Sequence, residues 1–244
     1  PQGDWSSDVC SSDLNPVCIV SGCSRGIGRG IATKLTAQGY SLGLISRSKD
    51  ALENLKSELE SIRSSEKQQF LVCPCDVCDE SAIKESVACV AKEIGSPTSL
   101  VNVAGINKDG LLLRYKESDM ESLLRTNLVG SMLLSRSVLP YMMKSKRGSI
   151  VSIGSVVGER GRAGQSVYAA TKSALVGFSR SLAKEMGRYN IRVNMVTPGF
   201  IQTEMTEQSI RNVDEFSKRI ALQRLGVIED VSNAVAFLLS DEAS

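Results

Sequence analysis

The sequence predicts an α/β protein with a doubly wound parallel sheet, built in three layers with helices on both faces. Three observations predict it. Short β-prone apolar runs alternate with stretches of helical periodicity through residues 15–244. The strands are separated by helix-length segments, which suit crossovers between parallel neighbours rather than hairpins. The first strand-to-helix turn carries Gly22, Gly26 and Gly28, placing a ligand crevice beyond the carboxyl ends of the strands.

Each element follows in order. Val17-Cys-Ile-Val20 is the first strand, and Ile31 and Leu35 mark the helix after the glycine turn. Residues 40–45 give the second strand, and Leu52, Leu55 and Leu59 put a helix at 50–62. Strands follow at 70–73, 99–102, 149–153 and 191–196. Helices fall between them at 81–94, 120–143 and 166–186, with further helical stretches near Glu215 and from Val231 to Leu239. Neither a repeat nor a Pro/Gly/Ser-rich linker divides 15–244, so one dinucleotide-binding catalytic domain is expected there. Residues 1–14 contain Ser-Ser-Asp twice and show neither periodicity nor a signal-peptide pattern; they are expected to be a non-native or disordered leader.

Composition narrows the chemistry. Of 244 residues, 42% are apolar and 23% charged, the balance of a folded protein rather than a disordered one. A net charge of +2 without a basic tract gives no footprint for nucleic acid or a membrane surface. No apolar run is long enough for a membrane span. Histidine is absent, which excludes imidazole acid–base chemistry and Ser-His-Asp triads. The seven cysteines are odd in number and crowded before residue 90, so they suit reduced packing residues and a reducing compartment, the cytoplasm or the mitochondrial matrix. Cys73-Pro-Cys75-Asp-Val-Cys78 lacks a fourth ligand, and no metal is expected.

Glycines directly after a strand and opening a helix let backbone N–H groups approach a pyrophosphate, although an ordinary tight turn has the same spacing. The second strand ends in Ser46-Arg47-Ser48, with no carboxylate to take the ribose hydroxyls of NAD. Arg47 and Arg25 can instead bond a 2′-phosphate, favouring NADPH, with two solvated surface arginines as the lesser alternative. Tyr168 and Lys172 lie four apart on one helix face, where an ammonium would lower the pKa of a phenol. The same spacing also occurs on helix faces that only pack. Ser155, just after the fifth strand, can orient a carbonyl at the crevice.

These residues carry a resemblance. Residues 16–240 resemble a classical short-chain dehydrogenase/reductase: Asn102-Val-Ala-Gly105, Asn127, Ser155, Tyr168-x-x-x-Lys172 and Pro198-Gly199 fall where that family has its motifs. Within it, Ser24-Arg-Gly-Ile-Gly28 and Pro198-Gly-Phe-Ile-Gln-Thr-Glu-Met205 are similar to 3-oxoacyl-acyl-carrier-protein reductases, and Asn127-Leu-Val-Gly-Ser-Met132 to the carbonyl reductase 4 type. The resemblance implies a Rossmann-type fold and NADPH-dependent reduction of a 3-oxoacyl thioester, as in fatty acid biosynthesis, with small carbonyls or quinones as further acceptors. A short-chain dehydrogenase of a sterol, sugar or polyol, and a non-catalytic NADP-binding subunit, remain alternatives.

It further implies that Tyr168 is the proton donor, that Lys172 lowers its pKa and holds the nicotinamide ribose, that Ser155 bonds the substrate oxygen and that Asn127 helps hold a relay water. Gly22, Ser24, Arg25, Gly26, Ile27, Gly28, Arg47 and Ser48 would hold the phosphates. Asp76 and Val77 would contact the adenine, with Asn102, Ala104 and Gly105 on its ribose side. Pro198, Gly199, Ile201 and Thr203 would border the nicotinamide. The family is tetrameric, implying a homo-oligomer or a hetero-oligomer with a related subunit. It also continues past Ser244 into a last strand, so an unpaired sheet edge and impaired assembly are expected. An acidic acyl carrier protein would dock on Lys144, Lys146, Arg147 and Arg188.

Overall fold

The computed structural model describes residues 15–207 and 213–244. The expected leader at 1–14, with Cys10, lies outside the described residues. The chain runs β1 (Val17–Ser21), α1 (Gly26–Ala37), β2 (Ser41–Ser46), α2 (Lys49–Ile62), β3 (Phe70–Pro74), α3 (Glu80–Glu93) and β4 (Ser99–Asn102). It continues through α4 (Glu117–Leu124), α5 (Gly130–Ser145), β5 (Gly148–Ile153), α6 (Val157–Arg160), α7 (Ser166–Met186) and β6 (Ile191–Val196). The last helices are α8 (Glu204–Glu207), α9 (Val213–Ser217) and α10 (Ile228–Leu239).

All six strands pair in parallel, in the order β3-β2-β1-β4-β5-β6, with Val17 opposite Ser41 and Cys18 opposite Ser99. This is the Rossmann-type arrangement expected. Alternation within β1 splits the core in two: Cys18 and Val20 face α1, α2 and α10, while Val17 and Ile19 face α3, α5 and α7. Leu52, Leu55 and Leu59 are fully buried, each worth about 1.5–3 kcal/mol of transfer free energy. Local signals set the helix ends. Ser48 Oγ accepts from the Ala51 N–H, Asp79 Oδ1 accepts from the N–H groups of Ser81 and Ala82, and Lys146 turns left-handed (φ 49°) after α5.

The long helix expected at 120–143 is instead α4 and α5 joined by a π turn at Arg125–Val129, in which the Gly130 N–H reaches back to the Arg125 carbonyl. The sheet order reverses between β1 and β4, and there the carboxyl ends of the strands open a cleft of about 590 Å³.

Candidate active site

The floor of the cleft begins at the turn after β1. Ser21, buried, donates to the Val101 carbonyl and accepts from the N–H groups of Val103 (3.1 Å) and Ala104 (3.3 Å), which locks the turn against the chain leaving β4. Two glycines are required by close approach. A Cβ on Gly22, at φ +66°, would lie 2.7 Å from the Ala104 backbone, and one on Gly28 would lie 2.2 Å from the Gly22 carbonyl oxygen. The result is a turn with bare backbone, feeding a helix whose first turn has no side-chain cap, the form that accepts a phosphate group.

Gly22, Ser24, Arg25, Gly26, Ile27 and Gly28 all line the cleft. Arg47 and Ser48 line it from the end of β2, Asp76 and Val77 from β3, and Ala104 and Gly105 from β4. Ser46 Oγ, beside Arg47, is buried with no hydrogen-bond partner among the described residues, as a hydroxyl awaiting a ligand would be. Asp76 spends Oδ1 on the Cys78 N–H, and Arg25 meets Glu204 at 3.3 Å in an exposed pair. Pro198, Gly199, Ile201 and Thr203 close the far side. Bare backbone, an uncapped helix, an unpartnered hydroxyl and arginines in place of a carboxylate fit a phosphate-bearing dinucleotide.

Two expected residues are not brought to the cleft. Asn102 is buried beneath it, its amide donating to Ser135 (3.1 Å) and Ser152 (3.4 Å). Asn127, fully buried in the π turn, accepts from the Ile106 N–H (2.8 Å) and donates to the Ile106 carbonyl (2.9 Å) and Thr171 (3.2 Å). Its side chain braces the loop after β4 and does not itself face the cleft.

Ser155, Tyr168 and Lys172 do meet there. One helical turn separates Tyr168 from Lys172 on α7, and Nζ sits 5.8 Å from the phenol ring centre. The Lys172 ammonium donates to the Ile153 carbonyl at 2.8 Å. Burial, uncompensated by any carboxylate among the described residues, pushes its pKa down to about 8. Tyr168 shares the cleft with Ser155, whose Oγ accepts from the Val157 N–H at 3.2 Å. The net direction of the phenol pKa is upward, because burial raises it first, the Ser155 hydroxyl opposes this and the Asp109 charge adds to it, so the expected net lowering is not found. The phenol is thus held protonated at neutral pH, able to donate a proton.

The basic cluster lies away from the cleft. Lys144, Lys146 and Arg147 precede β5 and Arg188 precedes β6, so they flank the amino ends of strands whose carboxyl ends form the cleft. Six residues of strand, about 20 Å, lie between, and Arg147 is paired with Asp241 at 2.8 Å. Sequence reasoning also missed Ser21, Asn107, Gln165 and Phe200, the last three lining the cleft. Asn107 bonds Asp109 two residues on, while the partners of Ser21, Gln165 and Phe200 come from distant segments, which no local pattern signals.

No helix among the described residues is long and apolar enough to cross a membrane. The family model for short chain dehydrogenases matches residues 16–214. The chain is 45% identical to the 3-oxoacyl-[acyl-carrier-protein] reductase of Bos taurus over 226 residues, covering 93% of this chain and 92% of the relative. It is 42% identical to carbonyl reductase family member 4 of Xenopus laevis and 39% identical to the 3-oxoacyl-[acyl-carrier-protein] reductase of Thermotoga maritima, each with the same coverage of both chains.

Proposed function

The chain belongs to the short-chain dehydrogenase family, and from that premise we propose that it reduces a 3-oxoacyl thioester, carried on CoA or an acyl carrier protein, to the 3-hydroxyacyl form with NADPH. As a family member it is an oxidoreductase of C=O and CH–OH groups that works with a nicotinamide cofactor. The thioester reading is supported by the names of the similar proteins, and the choice of NADPH by Arg47 beside the unpartnered Ser46. Small carbonyls or quinones are proposed as further acceptors.

One observation carries the chemistry: Ser155, Tyr168 and Lys172 line the same cleft that the glycine turn opens. The bound nicotinamide would supply hydride to the carbonyl carbon. Ser155 orients the carbonyl oxygen, and Tyr168, protonated at neutral pH, delivers the proton to that oxygen as charge develops on it. Lys172, held by the Ile153 carbonyl, keeps a positive charge beside the phenol ring and favours the phenolate left behind. Gly22, Gly28 and the first turn of α1 would hold the phosphates. The buried free thiols of Cys18, Cys23, Cys73 and Cys75 support a reducing compartment, the cytoplasm or the mitochondrial matrix.

The test is NADPH oxidation with acetoacetyl-CoA. Turnover in the wild type, faster with NADPH than with NADH, supports the reading. NADPH binding without turnover points instead to the non-catalytic subunit.

A further inference from the structure

Beside Tyr168, two carboxamides are anchored on one carboxylate oxygen. Gln165, at the start of α7, donates from Nε2 to Asp109 Oδ1 at 2.7 Å, and Asn107 donates from Nδ2 to the same oxygen at 2.8 Å. The Gly110 N–H donates to the Gly164 carbonyl at 2.8 Å, tying the two loops together. A carboxylate accepts only, so Asp109 fixes which end of each amide faces it and leaves each carbonyl oxygen on the opposite side. Those oxygens, Asn107 Oδ1 and Gln165 Oε1, are buried and have no hydrogen-bond partner among the described residues. Gln165 is only 5% exposed, and both residues line the cleft, whereas Asp109 does not. Two oriented acceptors, desolvated and unpaired, are costly unless a ligand brings donors to them.

The proposed chemistry places N–H donors there. In both CoA and an acyl carrier protein, the arm that bears the thioester contains amide groups a few bonds from the sulfur, each with one N–H. We propose that Gln165 and Asn107 form a subsite accepting hydrogen bonds from the amide N–H groups of the thioester arm, with Asp109 as the positioning residue that sets both acceptors. This inference rests on the thioester reading of the site and adds to it how such substrates are told from simple ketones.

The experiment compares two acceptors with NADPH: the acetoacetyl thioester of N-acetylcysteamine, which has one amide N–H, and the S-ethyl thioester, which has none. In Gln165→Met, the ratio of kcat/KM between the first and the second falls about tenfold, the value of a single buried hydrogen bond. Asp109→Ala, which touches no substrate, lowers the same ratio mainly through KM, while NADPH binding followed by fluorescence reports a folded site. Repeating the Gln165→Met measurement with acetoacetyl-CoA and an acetoacetyl-loaded carrier protein shows which arm uses the subsite. A ratio preserved within about twofold in both variants, equal to the loss of much less than one hydrogen bond, overturns the inference while leaving the reductase reading intact. A wild type that reduces neither thioester overturns the reductase reading, and this inference with it.

Discussion

Lys172 donates its ammonium to the carbonyl of Ile153 across 2.8 Å, joining α7 to the carboxyl end of β5 with no carboxylate among the described residues to balance the buried charge. With its pKa pushed down to about 8 from an ordinary 10.5, the folded chain holds this proton less tightly than the unfolded chain. Between those values the unfolded state carries more protons, so stability rises with pH; below about 8 the cost is fully present, about 3 kcal/mol. Lys172→Met has no such group. Urea unfolding from pH 7 to 10.5 therefore shows wild-type stability gaining about 3 kcal/mol relative to the variant; a constant difference would mean that the charge is not buried.

Tyr168→Phe keeps the ring against Lys172 and removes only the hydroxyl. Turnover falls by about 10²–10⁴-fold, the usual weight of general acid catalysis. NADPH affinity changes little, because the glycine turn is untouched. Equal rates in both proteins would remove Tyr168 from the proton transfer.

Tyr168 and Lys172 were legible because a four-residue spacing means one face wherever a helix forms, and the turn at Gly22–Gly28 because a strand precedes it and a helix follows. The π turn was not: Leu124 and Leu128 keep ordinary helical spacing, and a single extra residue per turn leaves no compositional mark. Asn102 lies at the last position of β4, where side-chain alternation, invisible in a four-residue strand, turns it into the protein. Gln165 and Asp109 are 56 residues apart, and only the tertiary fold pairs them. The place of the basic cluster was not legible, because charge is read from composition, while the end of the sheet it occupies depends on strand direction. Lys144 to Arg147 come before β5, which puts them opposite the cleft.

Arg47 is exposed at the end of β2, beside Ser46 and with no carboxylate in the segment. Arg47→Ala lowers kcat/KM for NADPH by roughly 10–100-fold, the value of a charge-assisted hydrogen bond, and leaves that for NADH within about twofold. The discriminating measurement is the NADPH/NADH ratio in one preparation. An equal loss with both cofactors would assign Arg47 to general folding rather than to a 2′-phosphate.

Asn127 satisfies both backbone groups of Ile106 and donates to Thr171, while Ser131 donates to its own carbonyl. The π turn is what carries this side chain to the loop after β4, since the wider turn shifts Asn127 relative to a regular helix. In Asn127→Ala, the Ile106 N–H and carbonyl lose their partner in a part-buried setting, at about 1–3 kcal/mol for the pair. Thr171 can still donate to the Tyr168 carbonyl, as it does at 2.7 Å, so α7 should keep its place. The variant is therefore expected to unfold at lower urea with an unchanged m-value and to bind NADPH more weakly, because Asn127 holds Ile106, which lines the cleft next to Gly105. Stability within about 0.5 kcal/mol of wild type would show that water replaces the amide at Ile106 and that the π turn does not brace the cleft.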